Sequence, residues 1–159
     1  MSYIMIQNII LQLQDLQGQE NWLDENFEKK IGGVAEDKVF KRPLPELHSV
    51  AELISHVLIW RLETIRKLKN LDAKLTINSP ENWRTNDELM KVGWQNLKND
   101  FFQSLYTLTE ILEENDDTFL DQHYRNNESF KYLIEGLIHH DLYHLGQLGI
   151  TIKFLRLEK

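Results

Sequence analysis

Three histidines, an aspartate and a glutamine crowd into HHDLYHLGQLG, residues 139–149, a segment whose leucines recur at helical spacing. His140 and His144 are four apart, so on one helix their imidazoles are neighbours and reach a common point beside the axis. That is the arrangement of two ligands to one metal ion. Asp141 and Gln147 are placed to orient those rings, as the outer partners of metal-binding histidines do.

On a wheel of about 100° per residue, Phe130, Leu133, Ile134, Leu137, Leu148, Ile152 and Leu155 form one apolar stripe. His144 and Asp141 fall within about 40° of its centre and His140 within about 80°, while His139 points away. The pattern predicts His140, Asp141 and His144 buried and His139 exposed. Buried polar groups need partners, and a shared cation is one.

Catalytic zinc sites use three protein ligands and an open position, so a third ligand has to come from elsewhere in the chain. His56, in SVAELISHVLIW, lies mid-helix, whereas His48 precedes that helix and His123 falls in a loop. A rigid helix holds a ligand better than a loop, which selects His56. The wheel sets His56 about 120° from the stripe of Val50, Leu53, Ile54, Val57, Trp60 and Leu68, so a half-exposed histidine beside Trp60 and Glu63 is the alternative.

Other metal chemistries fit less well. HDLYH resembles the zinc-protease pattern H-E-x-x-H, but with the shorter aspartate as base and no downstream third histidine. The Glu-x-x-His pairs of ferritin-like di-iron sites are absent from the sequence.

The elements that carry these residues read as helices. With only three prolines and seven glycines in 159 residues, long stretches lack breakers. Helices are expected over Tyr3 to Leu16, and over Asn21 to Ile31 with Gly32 and Gly33 as a stop. Capping boxes at Ser49–Glu52 and Thr85–Glu88 open helices to about Asn70 and Glu114, and the last runs from Ser129 to Leu157. The fold class predicted is all-α, a single domain over 1–159 built as an antiparallel four-helix bundle with a short extra N-terminal helix. Trp22, Trp83, Trp94, Phe101 and Phe102 are assigned to its core, and LDENFEKK to a solvated face. Gly136, Gly146 and Gly149 on the last helix would permit close approach of another helix or of a second copy in a homodimer.

Eighteen basic against 25 acidic residues give a formal charge of −7, which argues against nucleic acid or an anionic membrane surface as partner. The absence of cysteine excludes disulfides, thiolate ligands and a cysteine nucleophile, so any metal here uses histidine and oxygen. The N-terminus has no basic n-region and is interrupted by Gln7, Asn8, Gln12 and Gln14, and no stretch approaches a membrane span. A soluble cytoplasmic protein acting on a small molecule is expected.

His56 in a Ser-capped helix, Trp60 four residues later, and the closing HDLYHLGQ together resemble the DinB/YfiT-like superfamily of metalloenzymes over most of the chain. The resemblance implies a four-helix bundle holding a divalent ion, nickel or zinc foremost with iron as a further option, on His56, His140 and His144. It also implies activity on a small molecule, as in thiol S-transferases that use low-molecular-weight thiols. A metal-dependent hydrolase, or a non-catalytic binding or dimerisation module, are the other functions that the residues allow.

Overall fold

The computed structural model describes residues 1–125 and 127–157. Its four long helices are α1 (Ile4–Gln17), α3 (Val50–Leu68), α5 (Trp94–Glu113) and α6 (Phe130–Leu157), and two short ones are α2 (Phe27–Gly32) and α4 (Asn86–Val92). Among the described residues the fold is all-α apart from a hairpin of two two-residue strands, β1 (His123–Tyr124) paired antiparallel with β2 (Glu128–Ser129), just before α6.

The four long helices form a bundle in which α3 and α1 each pack on both α5 and α6. Contacts at both ends fix their directions. Thr151 near the end of α6 bonds the His48 carbonyl, and Lys67 at the end of α3 meets Glu128 ahead of α6, so α3 and α6 are antiparallel. Asp117, beyond α5, accepts from the Ile6 amide while Gln17 reaches the Phe102 carbonyl, so α1 and α5 are antiparallel as well. The connection over 69–93 brings the chain back to the start of α3, where Ser49 donates to Asn86, and α5 therefore runs in the same direction as α3. The N-terminal α1 completes the bundle, and α2 is the short additional helix.

Local chemistry explains the element boundaries. Ser49 accepts from the Glu52 amide and Glu52 from the Ser49 amide, closing the expected capping box; Thr85 and Glu88 close the second one. Two boundaries differ from the sequence reading. The second helix begins only at Phe27, because Asn21 is spent on a turn, donating to the Asp15 and Glu25 carbonyls and accepting from Leu23, and Asn26 becomes the cap. The helix expected to run unbroken from Thr85 is split at Gly93, whose φ of 88° no helix accommodates. Of the aromatics assigned to the core, Trp94 and Phe101 are buried, but Trp22 is 95% exposed and Trp83 stacks on histidines.

Helix α3 is not amphipathic in the ordinary sense. From Val50 to Leu58 every side chain is buried, because α5, α6, α4 and the short turn Pro80–Trp83 enclose it. This is why a wheel drawn around its most apolar stripe misplaced His56, which is 6% exposed.

Candidate metal centre

The antiparallel pairing of α3 with α6 sets His56 opposite His140 and His144. One nitrogen from each lies within 4.8 Å of the others, and the ring centroids are 4.4 to 5.0 Å apart. All three histidines singled out by sequence thus meet at one place. His144 is buried and His139 exposed as expected, whereas His140 is only half-buried because it forms part of the floor of an open cleft.

Each ring is held from behind. His56 Nδ1 donates to the Asn82 carbonyl at 2.8 Å, and His144 Nδ1 donates to Gln147 Oε1 at 2.7 Å. Both hydrogen bonds commit the proton to Nδ1 and leave Nε2 with its lone pair. His140 Nδ1 faces Asp141 Oδ1 at a longer 3.4 Å, while its Nε2 lies 3.1 Å from Nε2 of His56. Two ring nitrogens at that separation share either a proton or a cation. For an ion bound at 2.0–2.1 Å in tetrahedral geometry, ligand nitrogens lie roughly 3.3 Å apart, so the residues present fit a divalent metal.

Protonation favours the same reading. Burial, with smaller contributions from the neighbouring histidines, outweighs the Asn82 hydrogen bond and holds His56 down at about 4. Burial, followed by the charge of His140, also lowers His144. Neutral imidazoles at pH 7 are the form that binds metals.

The turn Pro80–Trp83 belongs to the centre, and sequence reasoning missed it. Asn82 holds His56 through its carbonyl and accepts from Trp60 Nε1 through its side chain. Trp83 is sandwiched between His56 and His48, each 3.8 Å away and within 5° of parallel. No local pattern in SPENW announces that role, since it depends on where the connection folds back.

Asp141 and Gln147 both stand behind ligand rings, with partners the sequence did not name. Gln147 serves His144 and donates onward to the Tyr143 hydroxyl. Asp141 is fully buried and accepts from Arg61 Nε at 2.7 Å, in an ion pair with no exposure on either side. Arg61 also donates to the Phe101 carbonyl and lies over the Phe101 ring at 4.2 Å. One signal was available: Arg61 and Asp141 are opposite charges, each on the core face of its helix, and such charges are almost never buried unless paired.

Beside the histidines a cleft of about 400 Å³ opens between α3 and α6, walled by Trp60, Ile77, Leu133 and Leu137 with Glu63 and Lys67 farther along. Its carboxylate, Glu63, is 4% exposed and accepts from the Lys74 amide. A concave, mostly apolar site ending in a few polar groups is the usual form of a small-molecule site.

Comparison with known proteins agrees with this architecture. The sequence profile of the DinB superfamily matches residues 21–148. A crystal structure described as a conserved protein of a locus from Enterococcus faecalis resembles the chain with a TM-score of 0.62, covering 95% of this chain and 92% of that one. At 16% identity this is a likeness of fold. No curated protein matches the sequence.

Proposed function

The chain belongs to the DinB superfamily, and from that premise we propose that His56, His140 and His144 hold a divalent cation, nickel or zinc foremost, in a metal-dependent transferase of the thiol S-transferase kind acting on a small molecule. The observation that carries this is the convergence of three imidazoles, two with Nδ1 already committed, beside an open cleft. A structural site would be closed by four protein ligands, whereas three ligands and an opening suit a reacting partner.

A divalent ion bound by neutral imidazoles keeps its charge and so favours the deprotonated form of a thiol or water brought to it. The protein's own groups supply position. Asn82 and Trp83 fix the His56 ring, Gln147 fixes His144, and Asp141 faces His140. Asp141 is not placed to act as a general base, because it has no exposed surface and its Oδ2 is taken by Arg61. Glu63 is seven residues beyond His56, roughly 10 Å along the helix, and tied to the backbone. Trp60, Leu133 and Leu137 give the cleft apolar walls beside the histidines.

The test is the metal content of protein purified without chelator, for the wild type and for His140→Ala, followed by a thiol-transfer screen on the loaded protein. Near-stoichiometric metal that is lost in the variant is expected; unchanged stoichiometry in the variant refutes the centre.

A further inference from the structure

Gly136 stands in the interior of α6, where glycine is the least favourable residue after proline. Close packing does not require it: a Cβ built there meets nothing within 4 Å. Within the chain no helix closes on Gly136 or Gly146, and Gly149 alone of the three has a neighbour, the Lys30 side chain. Gly146 lines a separate groove with Leu142, Leu145 and Lys30, whereas Gly136 lies in the lining of the cleft beside the histidines, one helical turn before His140, and its missing side chain leaves room there beside Trp60 and Leu133.

The far end of that space is chemically distinct. Along α3 the lining runs His56, Trp60, Thr64, Lys67, which puts Lys67 roughly 16 Å along the helix from His56. Glu63 is engaged by the Lys74 amide and nearly inaccessible. Lys67, in contrast, holds a carboxylate already: Glu128, at 3.3 Å, a residue partly open to solvent on the hairpin. A ligand anion can take the place of that exchangeable partner.

We propose that the cleft binds an elongated amphipathic anion, its apolar body lying over Gly136 between Trp60 and Leu133 and its anionic end at Lys67. Gly136 sets the width of ligand admitted, and Lys67 selects its charge. The inference rests on the histidine centre as the reacting end only for which way round the ligand lies, and its test does not depend on metal.

Phenylhexanoate, phenylhexanol and phenylhexylamine serve as probes, with binding measured calorimetrically on metal-free and metal-loaded protein. The acid is expected to bind at least tenfold tighter than the amine, in both forms. Gly136→Leu should weaken acid and alcohol alike by tenfold or more with metal stoichiometry unchanged. Lys67→Met should weaken the acid at least fivefold and leave the alcohol unaffected; this partly exposed position carries the test if Gly136→Leu does not fold. Equal binding of acid and amine overturns the proposal, as does a preference for the acid that survives Lys67→Met or appears only with metal, which marks a carboxylate held by the ion. If the cleft behaves as expected in a protein that takes up no metal, the functional reading fails and this inference stands.

Discussion

The buried pair Arg61–Asp141 separates what the fold needs from what the histidine centre needs. Arg61→Met leaves the Asp141 carboxylate, with no exposed surface, without its 2.7 Å partner. Stranding a buried charge in this way costs about 3–5 kcal/mol. The pair itself is imperfect: Arg61 Nη2 has no hydrogen-bond partner among the described residues, and Nη1 makes bonds of 3.2 and 3.4 Å. Removing both charges in Arg61→Met/Asp141→Leu, which keeps much of the volume beside Phe27 and Phe101, should restore stability to within about 1 kcal/mol of the wild type or exceed it, as with other buried pairs replaced by apolar groups. Metal binding should not recover. His140 loses the carboxylate facing its Nδ1, and loss of such an outer partner weakens metal affinity by about 10- to 100-fold. Urea denaturation of the metal-free proteins reads the first quantity, and competition with a chromophoric chelator reads the second. The reasoning is refuted if the double variant is as unstable as Arg61→Met, or if it binds metal as tightly as the wild type.

The remaining expectations are more local. In the metal-free protein His56 titrates at about 4 against 6.5 for the free residue, so the unfolded chain binds the extra proton between those values. Stability from this group is complete above pH 6.5 and falls as the pH drops toward 4, by at most about 3 kcal/mol; denaturation at a series of pH values should show a shallower slope in His56→Gln, and equal slopes would remove the explanation. Ser49→Ala deletes a buried N-cap and the bond to Asn86 and should cost about 1–2 kcal/mol in a thermal melt, without changing metal stoichiometry. Gly136→Ala, whose new methyl group meets nothing, should raise stability by about 0.5–1 kcal/mol, and a loss would show that the backbone there is constrained in some further way.

Much of the molecule follows from local pattern. Helical spacing with few breakers makes the chain all-α, the two capping boxes place the starts of α3 and α4, and the four-residue step from His140 to His144 puts both rings on one face. Those features depend only on neighbours in the chain, through hydrogen-bond geometry and side-chain periodicity. What tertiary structure decided was which faces are enclosed. His56 reaches its partners because α3 is surrounded by three helices and by the turn Pro80–Trp83, an arrangement that the α3 wheel does not contain. Arg61 finds Asp141 eighty positions away because α3 and α6 are antiparallel in one register, and Trp83 reaches His56 because the crossover returns to the bundle. Periodicity acts within one helix, whereas burial and ligand convergence depend on how separate helices are packed, and that packing is settled by the energy of the whole fold.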